Sequence, residues 1–323
     1  MTVSAAVSTL HAGLEPGKPP LLRVESGVDA ARWAADHREA IRTFVAEHGS
    51  LLVRGLGLRD AARVEAVFRQ LGDLTLETEA FAPRGRYAQG VYTASKWPPN
   101  QQMCMHHELS YALRVPSLML FACVVPPAAG GATPVADAAA VLEALPPELV
   151  ERFERLGWLL IRNYNHDIGA SFADAFGTDD RKAIERYCRA HEIRFEWQDG
   201  GALRTWQRRR AIVPHPVTGR RCWFNQIAFL NEWTLAAELR EYLVEVYGAD
   251  GLPFNTRFGD GDPIGPDVVQ VINEVYETHT VREPWQVGDV LVVDNIRAAH
   301  GREPFEGPRE VVVALADAVR VAG

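Results

Sequence analysis

The segment MHHELS, residues 105–110, brings two histidines and a glutamate together in a chain that has only ten histidines. In an extended segment, side chains two residues apart point to the same side. His106 and Glu108 are therefore the pair that can face one metal ion, and His107 is expected to point to the other side. A third ligand has to come from elsewhere in the chain.

His300 is the best candidate for the third ligand. It follows GDVLVVDN, which predicts a buried strand, and it precedes a turn and a second strand, REVVVALAD. If these two strands pair around a turn near residues 304–305, Arg309 lies about opposite His300. Two histidines and one carboxylate leave positions open on the metal, as in non-haem Fe(II) oxygenases. An arginine nearby suits the far carboxylate of a metal-bound 2-oxo acid.

The same three donors are compatible with other chemistry. A zinc hydrolase would use two histidines and a glutamate to activate a water molecule. A catalytically inactive binding protein would keep the fold without turnover. The cationic residue Arg309 favours the oxygenase, because hydrolysis has no need for a fixed 2-oxo acid pocket.

The remaining pattern predicts the elements that position these residues. Helical spacing runs from Asp29 to Gly49 and from Asp60 to Gly72, with N-cap and C-cap residues at the ends. From Ile193 onward, strand and turn signals dominate, including Asp199-Gly200-Gly201 as a hairpin turn. We therefore expect an antiparallel, strand-rich core in one domain over residues 1–323, with a mainly helical insert around residues 138–192.

Composition limits the classes of partner. The net charge of −8 argues against a nucleic-acid binder, which needs a basic surface. No apolar run reaches the length of a membrane span, and the first residues do not have the pattern of a signal peptide. The four cysteines show no CxxC spacing, which fits a reducing cytoplasm. Nothing in the sequence indicates the oligomeric state.

Beyond these signals, the chain resembles the taurine dioxygenase and clavaminate synthase-like superfamily of Fe(II)/2-oxoglutarate oxygenases. The resemblance rests on GSLLVRGL, HHELSYA, PPAAGGATPVAD and WQVGDVLVVDNIRAAHGREPFEGPRE, which together span nearly the whole chain. It implies a mostly β fold with a double-stranded β-helix, or jelly-roll, core and helical insertions. It also implies His106, Glu108 and His300 as the iron ligands, 2-oxoglutarate and O2 as cosubstrates, and Arg309 with Thr133 as partners of the 2-oxoglutarate C5 carboxylate.

On the substrate side, RNYN and GLPFNTRFGDGDPI are similar to amino-acid β-hydroxylases of nonribosomal-peptide pathways, of the syringomycin aspartyl hydroxylase type. A second arginine found in some taurine dioxygenase relatives is Val313 here, so recognition of a sulfonate is not carried over. Related halogenases lack the carboxylate ligand, whereas Glu108 is present, which favours hydroxylation over halogenation.

Five residues are candidates for contact with the substrate. Relatives place a polar contact at the position of Gln102. Asn225 and Gln226 are polar residues within an aromatic strand, where they either line a cavity or are hydrogen-bonded in the core. Arg204 lies between Leu203 and Thr205 and is expected to point inward. Arg297 precedes His300 and either reaches substrate or lies at the surface.

These inferences predict a hydroxylase of an unactivated carbon in an amino acid, or in an aminoacyl group tethered to a carrier protein, in antibiotic or other natural-product biosynthesis. The alternatives are an oxygenase acting on another free small acid, by hydroxylation or desaturation, and the zinc hydrolase.

Overall fold

The computed structural model describes residues 10–25, 27–75, 85–93, 97–164 and 168–321. Its helices are α1 (Ala30–His48), α2 (Ala61–Leu71), α3 (Ala138–Ala144), α4 (Pro147–Leu156), α5 (Phe172–Phe176), α6 (Arg181–Ala190), α7 (Ala237–Tyr247) and α8 (Pro266–Thr278). Its strands are β1 (Leu21–Arg23), β2 (Ser50–Arg54), β3 (Arg86–Ala88), β4 (Val91–Thr93), β5 (Met103–His106), β6 (Arg114–Val125), β7 (Ala129–Gly130), β8 (Val135–Asp137), β9 (Trp158–Tyr164), β10 (Arg194–Trp197), β11 (Leu203–Arg209), β12 (Ile212–Pro214), β13 (Arg221–Trp223), β14 (Phe254–Phe258), β15 (Thr280–Val281), β16 (Val290–Asp294), β17 (Ala298–Arg302), β18 (Phe305–Glu306) and β19 (Glu310–Arg320).

Two sheets form the core. The larger has seven strands in the order β1-β2-β16-β6-β19-β4-β3, and the smaller has four in the order β15-β8-β17-β5. Apart from the parallel pair β1–β2, neighbouring strands of both sheets run antiparallel. Apolar residues from both sheets pack in one shared cluster, so the sheets face each other. The predicted jelly-roll core with helical insertions is confirmed.

The strands at the centre of the larger sheet are buried on both faces. In β19, Val311, Val313 and Leu315 point into the space between the two sheets. The intervening Val312 and Ala314 pack beneath α1 and α2. Because successive residues of a strand face opposite ways, double burial requires a continuous apolar run. The run VVVALA is therefore the sequence expected for such a strand, and each fully buried aliphatic side chain contributes about 1.5–3 kcal/mol.

A second four-stranded sheet, β10-β11-β9-β14, lies outside the jelly roll. It packs on α3, α4 and α8 through a cluster that contains Trp158, Phe153 and Ile272. A mainly helical insert was expected over residues 138–192. The described residues of this range, 138–164 and 168–192, contain four helices and the strand β9. The hairpin turn at Asp199-Gly200-Gly201 joins β10 to β11, as predicted.

Both predicted N-terminal helices are present with their caps. The side chain of Asp29 accepts hydrogen bonds from the first turn of α1, and Gly49 ends that helix with φ of 82°. Asp60 caps α2 in the same way. Among the described residues, no helix has the length and apolar character needed to cross a membrane.

The predicted strand pairing around residues 304–305 is wrong. β17, which carries His300, pairs with β5 and β8 in the smaller sheet, whereas β19 pairs with β6 and β4 in the larger. The chain crosses from one sheet to the other after Arg302, and the short strand β18 pairs with β7 on the way. Arg309 therefore approaches His300 from the facing sheet and not from a neighbouring strand.

One buried ion pair joins the larger sheet to the loop before β16. Arg54, at the end of β2, donates from Nε and Nη2 to the two carboxylate oxygens of Asp289 at 2.9 and 2.8 Å. Nη1 of Arg54 also donates to Glu283 at 3.2 Å. Asp289 is fully buried. A carboxylate in that position needs its cation, because a buried charge without a partner is strongly destabilising.

We expect Arg54→Ala to lower the free energy of unfolding by about 3–5 kcal/mol, because it leaves Asp289 buried without its partner. Urea denaturation followed by circular dichroism measures this change. Arg69→Ala is the control, because Arg69 pairs with Glu65 on the exposed face of α2, where such pairs contribute about 0.3–0.5 kcal/mol. A similar small loss in both variants would show that the Arg54–Asp289 pair is not a structural link.

Candidate metal centre

The three predicted ligands converge in the space between the sheets. His106 ends β5 and His300 lies in β17, directly opposite it in the register of the smaller sheet. A carboxylate oxygen of Glu108 lies 4.0 Å from Nε2 of His106 and 3.9 Å from Nε2 of His300. All three residues are buried, and their donor atoms lie within 4.8 Å of one another.

This donor set fits a divalent transition metal. Two imidazoles and one carboxylate, all offered from one side, are the facial arrangement that suits iron(II) and leaves positions for other ligands. Because Glu108 is buried between two imidazoles, a divalent cation would supply charge compensation for its carboxylate.

Glu108 faces the two histidines, but its backbone is not in the strand conformation that the spacing suggested. β5 ends at His106, and residues 108–110 form a turn in which Leu109 has φ of 54°. The turn, and not strand alternation, directs Glu108 towards the histidines. His107 points away, as predicted: its ring packs near Phe224, and Nδ1 hydrogen-bonds to the carbonyl oxygen of Asn295 at 2.5 Å. Burial lowers the pKa of His107 to about 4, so its imidazole is neutral.

Asn295 fixes the backbone of Glu108. Its Oδ1 accepts a hydrogen bond from the Glu108 amide at 2.8 Å, and its Nδ2 donates to the Glu108 carbonyl at 3.0 Å. Nδ2 also donates to the carbonyl of Pro116 at 2.9 Å. Asn295 is fully buried and follows β16 directly. Sequence reasoning missed it, although an Asp-Asn pair after a buried strand is a known signal for side-chain hydrogen bonds to nearby backbone.

The opposite end of the pocket is cationic. Arg309 and Thr133 line the same pocket as the three ligands, together with Arg302. Nη2 of Arg309 lies 3.4 Å from the hydroxyl oxygen of Thr133, and its Nε donates to the carbonyl of Gly131 at 2.9 Å. Within the described part of the chain, neither arginine has a carboxylate partner. Burial, with a smaller contribution from the nearby Arg302, lowers the pKa of Arg309 to about 10, which leaves it charged and suited to bind an anion.

Apolar side chains complete the walls. Phe121, Val311 and Val313 line the pocket from the larger sheet. The ring of Phe229 stacks on His106, with centroids 4.4 Å apart and an interplanar angle of 17°, and Trp97 packs on Phe229. Phe229 was not singled out from the sequence. Together these groups give the pocket apolar walls between its charged ends.

The structure does not bring the predicted substrate residues to this pocket. Nδ2 of Asn225 donates to the carbonyl of Ala211, and Nε2 of Gln226 donates to that of His107. Both amides are therefore hydrogen-bonded in the core. The hydrogen bond from Gln226 holds the backbone of His107, which lies between the predicted ligands His106 and Glu108.

The other three substrate candidates also lie elsewhere. Arg204 faces the outer side of the second sheet and pairs with Asp250 at 3.7 Å. Arg297 is buried in an ion pair with Asp137. Gln102 is exposed in a groove beside α8.

The sequence of this chain is similar to one known protein family and to individual proteins. The family described as "Taurine catabolism dioxygenase TauD, TfdA family" matches residues 14–315. The dapdiamide synthesis protein DdaC of Enterobacter agglomerans is 35% identical over 281 residues, which cover 86% of this chain and 85% of the relative. A clavaminate synthase-like protein of Arabidopsis thaliana is 31% identical over 281 residues, covering 83% and 82%.

Solved structures agree at the level of the fold. The crystal structure of PvcB from Pseudomonas aeruginosa aligns with a TM-score of 0.55 at 16% identity, covering 95% of this chain and 91% of PvcB. PvcB is an Fe, alpha-ketoglutarate dependent oxygenase from an isonitrile synthetic pathway.

We expect Asn295→Ala to weaken metal binding by about 10- to 100-fold, the effect typical of residues that orient metal ligands. Titration calorimetry of the metal-free protein with Co(II) measures this without turnover. Asn231→Ala is the matched control, because Asn231 is equally buried and makes three hydrogen bonds to Thr256 and Trp233. If the folded Asn295→Ala variant binds Co(II) as tightly as the wild type, Asn295 has no role in positioning Glu108.

Proposed function

The chain belongs to the taurine catabolism dioxygenase TauD, TfdA family, and we propose that it hydroxylates an unactivated carbon of an amino acid or of a carrier-tethered aminoacyl group. It is a 2-oxoglutarate-dependent dioxygenase, and its cofactor and cosubstrates are Fe(II), 2-oxoglutarate and O2. The zinc-hydrolase and inactive-protein interpretations are therefore set aside. The relationship to a dapdiamide synthesis protein supports a role in natural-product biosynthesis.

The assignment of residues rests on one observation. The three donor side chains line the same pocket as two arginines, Arg302 and Arg309. We propose that His106, Glu108 and His300 hold Fe(II), and that Arg309 and Thr133 bind the C5 carboxylate of 2-oxoglutarate. The cosubstrate carries negative charge at both ends. The pocket offers it a metal site at one end and a guanidinium at the other.

The residues of the chain bind and orient the reactants and enclose the site. Iron, with 2-oxoglutarate and dioxygen, supplies the oxidising power to insert oxygen into a C–H bond, with succinate and carbon dioxide as by-products. Arg309 and Thr133 fix the cosubstrate by its far carboxylate. Phe121 and Phe229 provide apolar surface beside the metal ligands. Glu108 occupies the position that halogenases leave to chloride, so hydroxylation is the proposed outcome.

The lining of the pocket also bears on the substrate. Val313 faces the pocket at the position where some taurine dioxygenase relatives have a second arginine. The pocket therefore lacks a cation at that position for a sulfonate. This supports a substrate other than taurine in spite of the family's description.

A screen of succinate release tests the proposed substrate class. The protein with Fe(II), 2-oxoglutarate and air is supplied with free L-amino acids, with aminoacyl groups loaded on carrier proteins, and with other small acids. We expect turnover with a member of the first two sets and a product that has gained one oxygen atom. Turnover only with other acids, or a product that has lost two hydrogens, would favour the alternative of oxygenation or desaturation of another free acid.

Arg309→Gln should raise the apparent KM for 2-oxoglutarate by about 10- to 100-fold, since a charge-assisted carboxylate contact is lost. The affinity for Co(II) should stay within about twofold, because Arg309 is not a ligand in the proposed arrangement. Steady-state succinate release and calorimetry give the two values, with Arg320→Gln at the exposed far end of β19 as control. An unchanged KM would remove Arg309 from the cosubstrate site.

A further inference from the structure

The strand that carries His106 is irregular just before this residue. In the pairing of β5 with β17, His106 lies opposite His300, and Met103 lies opposite Arg302. One residue of β17 therefore faces two residues of β5, which is a β-bulge. In a regular strand, residues three apart point to opposite sides, yet Met103 and His106 both line the metal pocket. The extra residue of the bulge accounts for this, so it determines the side to which His106 points.

The bulge also provides a hydrogen-bond partner for the His106 ring. Nδ1 of His106 lies 2.8 Å from the carbonyl oxygen of Cys104, one of the two bulged residues. A carbonyl oxygen can only accept, so Nδ1 carries the proton of this bond. In a neutral imidazole Nε2 is then unprotonated, and Nε2 is the nitrogen that faces Glu108. The Cys104 carbonyl therefore leaves the correct nitrogen available to bind a metal ion.

Gly301 is the residue of β17 that faces the bulge, and it has no room for a side chain. Its amide donates to the carbonyl of Pro134 at 3.0 Å, which holds it in the smaller sheet. A Cβ atom at this position would lie 2.8 Å from the carbonyl oxygen of Met103 and 3.3 Å from Sδ of Met105. Gly301 does not have a positive φ. The close approach of the β5 backbone, and not an unusual backbone conformation, is therefore what requires glycine here.

Arg302 holds the segment that leads into the bulge. It is only 6% exposed. Its guanidinium donates to three backbone carbonyls, those of Trp97 at 3.0 Å, Pro98 at 2.6 Å and Gln101 at 2.9 Å. Hydrogen bonds from a charged donor are roughly twice as strong as those between neutral groups. Because Gln101 comes two residues before Met103, these bonds fix the start of β5 against β17.

We infer that Gly301 and Arg302 are positioning residues for the proposed iron ligand His106. Gly301 gives space to the bulge of β5, and Arg302 holds the segment before the bulge. The inference rests on the proposed role of His106 and adds two residues that act through it. Both follow His300 directly in the chain, so the strand that carries one ligand also sets the orientation of another.

Calorimetric titration of the metal-free protein with Co(II) measures the effect on the site without turnover. We expect Gly301→Ala to weaken Co(II) binding by about 10- to 100-fold, the range typical of residues that orient a metal ligand. Gly13→Ala is the matched control, because among the described residues its added methyl meets only the carbonyl oxygen of Leu21, at 3.7 Å. This control should bind Co(II) as the wild type does.

Arg302→Met tests the second residue, and charge and position predict opposite results. Loss of a cation from the pocket would by itself favour a bound cation, because like charges repel. We expect binding of Co(II) to be weaker instead, by about 10-fold, because three carbonyls lose their donor and the start of β5 is no longer held. Unchanged or tighter binding would show that Arg302 does not position His106.

Nuclear magnetic resonance of the metal-free protein, isotopically labelled at its histidine nitrogens, reports on His106 itself. At a pH where the ring is neutral, the nitrogen shifts show which nitrogen carries the proton. A spectrum of His106→Gln identifies the signal among those of the ten histidines. We expect the proton on Nδ1 in the wild type and a change towards Nε2 in Gly301→Ala, because the bond to the Cys104 carbonyl is lost. A proton on Nε2 in the wild type would overturn the inference even if neither variant folds.

His106→Ala separates failure of this inference from failure of the proposed function. If His106→Ala binds Co(II) as tightly as the wild type, His106 is not a ligand, and the inference fails together with that assignment. If His106→Ala loses Co(II) binding while the folded Gly301→Ala and Arg302→Met variants keep it, the ligand assignment stands and the two residues have no positioning role.

Discussion

The register between β5 and β17 is the constraint on which the site depends. It sets His106 directly opposite His300, so that two imidazoles from distant parts of the chain face the same point. The third donor comes from a turn, and a turn is easily displaced. Asn295 prevents this by binding both the amide and the carbonyl of Glu108. The metal site is thus built from one strand pairing and one side-chain contact, with the apolar core of the jelly roll behind it.

Charge explains why the rest of the pocket is arranged as it is. A carboxylate between two imidazoles at one end and two arginines at the other would be unfavourable in an apolar interior unless each found a counter-charge. In the proposed arrangement, a divalent metal ion and an anionic cosubstrate supply both.

The sequence was most informative where local chemistry and periodicity coincide. Caps at Asp29 and Asp60 marked two helices, and the donor types in MHHELS marked the ligand segment, although a turn and not strand alternation directs Glu108 to the histidines. It was least informative where geometry depends on distant contacts. The pairing of His300 with His106, and the approach of Arg309 from the facing sheet, follow from topology that no short pattern encodes. The substrate side shows the same limit: Arg204 lies in a segment with strand signals, and only the packing of the second sheet decides to which side it points.

The central claim is that His106, Glu108 and His300 share one iron ion, and diffraction from crystals of the Fe(II)-loaded protein, grown without oxygen, tests it most directly. Data collected at the iron absorption edge locate the metal independently of the protein atoms. We expect a single anomalous peak at bonding distance from one atom of each of the three side chains. A peak bound by only one of them, or one placed elsewhere in the protein, would contradict it.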